Sequence, residues 1–378
     1  MIKLTQAPKS GLHGEITVPG DKSISHRALM FGAIATGETK IENFLPSDDV
    51  MHTMRAFQDL GVSITQNGRQ LHVVGRGINQ FKAPKQPLDM GNSGTSTRLL
   101  MGLLSRQPFD IKLFGDDSLS QRPMKRVATP LLQMNANIEL AENGTLPATL
   151  HSNKTLKGIT YDMPIASAQV KSAILLAGMQ ADGVTRVIEK LPTRDHTERM
   201  LKQFGGVINS KNGVIEVTKQ PELFGQNVIV PSDISSAAFF MVAGLITPNS
   251  DIILKNVGIN PTRDGVLKLL KRMGASINVN QIQNEGEPMA DIMVKAQPLH
   301  GIEITAEDVP GAVDELPILA LAATQAIGDT VITGAEELRV KETDRIATVV
   351  AELSKIGADI QETPDGMIIH GKTPLHAL

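Results

Sequence analysis

One pattern of elements is written five times along this chain: strand, helix, strand, helix, strand, strand. Each copy carries two marks, a polar cluster that opens an apolar helix and a small residue that closes a second, two-faced helix. The first mark falls at Asp21, Asn92, Ser167, Asp233 and Asp314, the second at Gly61, Asn135, Gly205, Gly274 and Gly357. Successive marks lie roughly 66–83 residues apart, and self-similarity at such a period constrains architecture more than any local motif. The first copy shows the grammar. HGEITVPG alternates as a strand and ends in Pro-Gly. DKSISHRALMFGAIATG opens on capping residues and turns apolar, and ETKIENF is a second strand. SDDVMHTMRAFQDLG predicts an amphipathic helix that starts at Ser47 and Asp48 and ends at Gly61; VSITQNGRQLHVVG predicts a hairpin turning at Asn67-Gly68.

The apolar helix of each copy has no polar face and is expected to be buried, whereas the second is expected on the surface. Three copies can share one core. A chain of 378 residues exceeds what a single core serves, so two domains are expected, with a boundary near Val230-Pro231 between the third and fourth copies. There is no cysteine, which excludes disulfides, thiolate metal sites and a cysteine nucleophile and suits a cytoplasmic protein. The start MIKLTQAPKS lacks the apolar core of a signal peptide, and the longest apolar run, Ala237 to Ile246, is too short to span a bilayer. Net charge is -3 and the aromatic content is 3%, so neither a polyanion groove nor a stacking platform for nucleic acid is indicated.

The start of each buried helix offers unpaired N–H groups and a positive dipole end. If the copies in a domain are arranged alike, these ends converge, and two facing domains would form a cleft suited to anions. The side chains agree. Lys22, Ser23 and Arg27 open the first helix, Asn92, Ser93, Gly94 and Thr95 the second with Arg98 behind, and Ser167, Gln169 and Lys171 the third. Outer helices begin with Arg122, Lys125 and Arg126, with Arg194, with Arg263, and with Arg339, Lys341 and Arg345. Small, multiply anionic substrates are expected. Asp314, Glu315 and Glu342 break the pattern; carboxylates among cations are poor anion binders and so become candidates for moving protons. Each feature also has a plainer account: polar residues at helix starts are usually caps, and Lys341, Glu342, Asp344 and Arg345 could be a solvated ion network. Coincidence at equivalent repeat positions favours a site. His26 and His196 have no partners at metal-ligand spacing, so no metal is expected.

PGDKSISHRALMFGAIATGET, GNSGTSTRLL, QRPMKRV, ASAQVKSAILLAG, TRDHTERML and ELRVKETDRI, in this order over the whole chain, resemble the 5-enolpyruvylshikimate-3-phosphate synthase family. The resemblance implies the enolpyruvyl transferase fold: an α/β, inside-out-barrel-like protein of two domains, each of three βαβαββ units. Residues 21–230 would form one domain and residues 1–20 with 231–378 the other, the N-terminal strand crossing over so that hinges lie near 20 and 230. It implies transfer of the carboxyvinyl group of phosphoenolpyruvate to the 5-hydroxyl of shikimate 3-phosphate, with no metal or organic cofactor, by a monomer. By motif, shikimate 3-phosphate would meet Lys22, Ser23, Arg27, Ser167, Gln169, Asp314 and Lys341, with Arg194 nearby. Phosphoenolpyruvate would meet Lys22, Gly94, Arg122, Gln169 and Arg345. Asp314 is the implied base; Glu342, with Lys22, would protonate the methylene carbon. The small residue at Gly94 leaves room for phosphoenolpyruvate mimics such as glyphosate, so sensitivity is expected.

Two other readings remain. UDP-N-acetylglucosamine enolpyruvyl transferases share the fold, but their loop cysteine is absent and their Lys-Asn pair is replaced by Asp21-Lys22-Ser23. The other is an inactive fragment that only binds ligand. A sixth closing mark is due near residue 431, whereas the sequence runs to Leu378, short of the Gly-Asp-His-Arg motif and late lysine that the resemblance leads one to expect. On that ground the 378-residue chain is expected to have little synthase activity and to expose apolar surface on Ile318 to Ala323.

Overall fold

The computed structural model describes residues 10–283, 286–341 and 343–377. The chain divides into two compact units with separate cores, one of Gly20–Val230 with 285–287, the other of Met1–Pro19, Pro231–Asn284 and Pro288–Leu378.

The Gly20–Val230 unit contains helices α1 (Lys22–Ile34), α2 (Asp48–Asp59), α3 (Gly94–Leu103), α4 (Lys125–Gln133), α5 (Ala168–Gly178) and α6 (His196–Gln203). It has three four-stranded sheets of one design. In the second of them Leu88–Asp89 runs parallel to Ile111–Phe114, which pairs antiparallel with Ala148–Leu150, and that strand with Ile138–Leu140. The third repeats this with Thr160–Asp162, Val184–Ile188, Val214–Thr218 and Ile208–Lys211. The first begins with Asn227–Ile229, taken from the far end of the unit, beside Thr36–Glu42, Gln70–Arg76 and Ser63–Asn67. Asn67 pairs with Gln70, so this hairpin turns on Gly68 and Arg69, one residue later than expected. Helices α1, α3 and α5 are the buried ones. A Cβ on Gly102 would lie 2.1 Å from the Ala173 carbonyl oxygen, so α3 and α5 cross with backbones nearly touching. That approach brings the first turns of the two helices within side-chain reach.

The other unit contains α7 (Ile234–Ile246), α8 (Gly265–Arg272), α9 (Val309–Ala312), α10 (Leu316–Thr324) and α11 (Arg345–Lys355). His13–Ile16 opens its first sheet, parallel to Asp251–Gly258, with Met289–Lys295 and Asn278–Gln283 beyond. Each unit thus takes its first strand from the sequence flanking the other. Its second sheet centres on Ala326–Ile332, flanked by Gly366–Gly371 and the short strands Leu299–His300 and Glu303–Ile304. The expected exposure of Ile318 to Ala323 is not seen: these residues are buried except for half-buried Leu321, because α10 packs on α7 and on strand Gly366–Gly371. The exposed apolar pair is Phe239 (58%) and Phe240 (41%) on α7.

The two sequence marks have direct conformational causes. Gly61, Asn135, Gly205, Gly274 and Gly357 all have positive φ, each two residues beyond its outer helix, the left-handed stop that glycine and asparagine accept most readily. Asp21, Ser167 and Asp233 are N-caps as expected, each accepting from a first-turn N–H. At the other two copies the cap falls one residue later, on Ser93 and Glu315.

Candidate active site

The N-terminal turns of α1, α3 and α5 are joined by side-chain bonds and so lie together at one end of their unit. Arg27 of α1 donates through Nε to Thr197 Oγ1 of α6 (2.8 Å) and through Nη2 to Ser172 Oγ of α5 (2.9 Å). Gln169 of α5 accepts from Arg98 Nη1 and donates to Thr95 Oγ1 (3.1 Å), both on α3. Helices α3 and α5 are capped by serines and have no acidic residue in the first turn, so their positive dipole ends are not neutralised there, whereas the capping carboxylate of Asp21 offsets part of the dipole of α1.

Cations gather where the dipoles point. Arg98 is 6% exposed, and its guanidinium is held down to about 10, first by burial and then by repulsion from Arg126 and Arg122. Arg122 is aimed by Asn92, whose Oδ1 accepts from Nη2 (2.6 Å) while its own Nδ2 donates to Asp116 (2.8 Å). Asn92 therefore orients an arginine rather than capping a helix. A Cβ on Gly94 would stand 3.3 Å from Arg98 Nη1 and 3.4 Å from Arg122 Nη1. The glycine leaves backbone bare between two guanidinium groups, a cradle for a small anion. Lys22 is half exposed and donates to Asp49 Oδ2 (3.1 Å). Ser23, Ser167, Gln169 and Arg194 are half-buried. Arg27 is 3% exposed, and burial lowers its guanidinium to about 10. It also donates to Ser23 O (3.0 Å), so three of its five N–H donors are committed within the unit.

Several cations singled out in the sequence do other work. Lys171 is 1% exposed and ion-paired with Glu198 (2.7 Å) and Glu189 (3.2 Å), also donating to Thr193 O, which anchors the segment leading to Arg194. Burial pushes the Glu198 carboxyl up, against the pull of Lys171. In the other unit Arg263 is 6% exposed; it donates to Ser235 Oγ (2.6 Å) and lies 3.7 Å from Glu315. Glu315, 2% exposed, accepts from Ser235 as well. This carboxylate is locked into the interior. Asp314 is half-buried beside the start of α10, and Arg345 Nη1 donates to it at 3.3 Å. Lys341, half-buried, pairs with Glu337, and Arg339 with Asp344 (2.8 Å). Glu342 lies outside the described residues. Among the described residues no three His, Cys, Asp or Glu side chains are grouped to hold a metal.

The profile of the family described as EPSP synthase (3-phosphoshikimate 1-carboxyvinyltransferase) matches residues 6–377. A 3-phosphoshikimate 1-carboxyvinyltransferase of Leuconostoc mesenteroides is 72% identical over 376 residues, covering 100% of this chain and 87% of that protein. The solved EPSP synthase of Acinetobacter baumannii superposes with a TM-score of 0.91 at 51% identity, over 96% of this chain and 82% of the other. The enolpyruvyl transferase NikO from Streptomyces tendae is 17% identical with a TM-score of 0.77, over 98% of this chain and 85% of the other; it shares the fold.

Proposed function

The chain belongs to the EPSP synthase family, and from that membership we propose how its residues divide the reaction. The reaction is transfer of the carboxyvinyl group of phosphoenolpyruvate to the 5-hydroxyl of shikimate 3-phosphate with release of phosphate, a step of aromatic amino-acid biosynthesis.

Phosphoenolpyruvate meets the bare backbone of Gly94, with Arg122 and Arg345 on its carboxylate and phosphate, a bidentate task suited to guanidinium, and with Lys22 and Gln169 alongside. Shikimate 3-phosphate is held by Lys22, Ser23, Arg27, Ser167, Gln169 and Lys341, with Arg194 beside them. Asp314 accepts the 5-hydroxyl proton as that oxygen bonds to carbon 2 of phosphoenolpyruvate. Glu342, assisted by Lys22, delivers a proton to the methylene carbon, giving a tetrahedral intermediate. Loss of a methyl proton then restores the double bond as phosphate departs, and the cations stabilise the charge that develops. The observation that carries the phosphoenolpyruvate assignment is Gly94 between Arg98 and Arg122. We also infer a monomeric, cytoplasmic protein that works without a cofactor and has no nucleic-acid or membrane partner. No cysteine in the sequence, and no described helix long and apolar enough to cross a membrane, supports that reading.

Gly94→Ala tests the assignment. The added methyl occupies the cradle and presses on both guanidinium groups, so KM for phosphoenolpyruvate is expected to rise about tenfold or more, with KM for shikimate 3-phosphate within about twofold of the parent. Steady-state kinetics with each substrate varied in turn checks this. A selective rise in the shikimate 3-phosphate KM would refute the placement.

A further inference from the structure

We propose that His26 is a positioning residue for phosphoenolpyruvate: through Thr53 and Ser96 it fixes the first turn of α3, and with it the backbone of Gly94 between Arg98 and Arg122. The inference rests on the assignment of Gly94 made above.

His26 is fully buried on α1, one residue before Arg27. Its Nδ1 lies 2.8 Å from Thr53 Oγ1 of α2 and 3.4 Å from Ser96 Oγ of α3. Thr53 and Ser96 are hydrogen-bonded through their hydroxyls, and Ser96 Oγ is 2.7 Å from Ser93 Oγ. Ser93 is the N-cap of α3, accepting from Ser96 N–H at 3.1 Å, and Gly94 follows it directly. One continuous chain of hydrogen bonds thus runs from a ring nitrogen on α1, by way of α2, to the cap that sets where the Gly94 backbone stands. His26, Thr53, Ser93 and Ser96 are all fully buried, which strengthens these bonds.

The ring itself argues against a filler role. Burial, and then the charges of Lys22 and Arg27, hold its pKa down to about 3, so the imidazole stays neutral and the cationic end gains no further charge from it. Its Nε2 is buried with no hydrogen-bond partner among the described residues. An apolar side chain would fill this space without that penalty. What the histidine adds is the Nδ1 bond, and that bond leads to the cap of α3. The next residue of α1, Arg27, ties it to α5 and α6. Two neighbouring residues therefore lock α1 to both companion helices, and only the His26 branch ends at Gly94.

Four proteins distinguish positioning from mere packing: the parent, His26→Leu, His26→Asn and Thr53→Val. His26→Leu fills the space without the bond, and Thr53→Val cuts the same chain one link further on, so it serves if the leucine variant does not fold. Both are expected to raise KM for phosphoenolpyruvate about five- to tenfold while KM for shikimate 3-phosphate stays within about twofold. His26→Asn, whose amide can reach Thr53 from the Nδ1 position, is expected to restore the phosphoenolpyruvate KM to within about twofold of the parent. An unchanged phosphoenolpyruvate KM in His26→Leu and Thr53→Val overturns the inference, as does a parallel rise of both KM values that asparagine fails to rescue. If Gly94→Ala raises the phosphoenolpyruvate KM and these variants do not, the inference alone is lost. If Gly94→Ala has no effect, the site assignment itself is lost.

Discussion

Asp314→Asn is expected to lower kcat by about 10²–10⁴-fold, with both KM values changed far less, because it removes the proposed general base while keeping its shape. Asp314 sits one residue before the buried cap of α10 and accepts from Arg345 at 3.3 Å. An asparagine there still offers a carbonyl oxygen to Arg345, so the arginine keeps a partner and substrate binding is largely preserved. What disappears is a group that can take the 5-hydroxyl proton. The neighbouring carboxylate cannot substitute, since Glu315 is 2% exposed, hydrogen-bonded by Ser235 and ion-paired with Arg263. Turnover at saturating concentrations of both substrates reads the effect directly. A kcat within threefold of the parent would remove Asp314 from the chemistry and leave Glu342 and Lys22 to carry both proton transfers.

Arg122→Lys is the second large effect: kcat/KM for phosphoenolpyruvate is expected to fall by about 10²-fold although the charge is retained. Charge-assisted bonds contribute about 1.5–3 kcal/mol each, and lysine loses the planar fork that makes two of them in parallel. Asn92 is built to aim that fork. It accepts from Arg122 Nη2 at 2.6 Å and is itself fixed by Asp116 at 2.8 Å, whereas an ammonium on a flexible stem is not oriented by such a bond. The loss should be confined to phosphoenolpyruvate. Titration of each substrate against the variant by calorimetry checks it; equal weakening of both would mean that Arg122 supports the unit rather than the ligand.

How far the sequence could be read depended on whether a residue's role is local. Gly61, Asn135, Gly205, Gly274 and Gly357 were legible because a left-handed stop after a helix is decided within a few residues. Caps were nearly as legible, but at Asn92-Ser93 the cap passes to the second residue, and at Asp314-Glu315 the helix starts one residue later with no side-chain cap. Asn92 and Asp314 are thereby freed to hold arginines. Longer-range roles were hidden. Lys171 and Arg263 looked like ligand-binding cations because they stand at helix starts, and only the packing shows them neutralised by Glu189, Glu198 and Glu315. The chain from His26 to Ser93 joins three helices whose relative register no sequence spacing encodes. The expectation that Ile318 to Ala323 are exposed rested on the count of repeats, and it fails because α7 and the strand Gly366–Gly371 cover α10, while on α7 itself Phe239 and Phe240 stay exposed.

The central claim is carboxyvinyl transfer to shikimate 3-phosphate, and phosphorus NMR of the protein incubated with phosphoenolpyruvate and that acceptor tests it most directly. Contrary to the expectation, drawn from the count of repeats, of little synthase activity, the account predicts that inorganic phosphate appears in step with a 5-carboxyvinyl ether of shikimate 3-phosphate, that it requires both substrates, and that UDP-N-acetylglucosamine does not replace the acceptor. Transfer to the UDP-sugar, or phosphoenolpyruvate left intact in the presence of shikimate 3-phosphate, would contradict it.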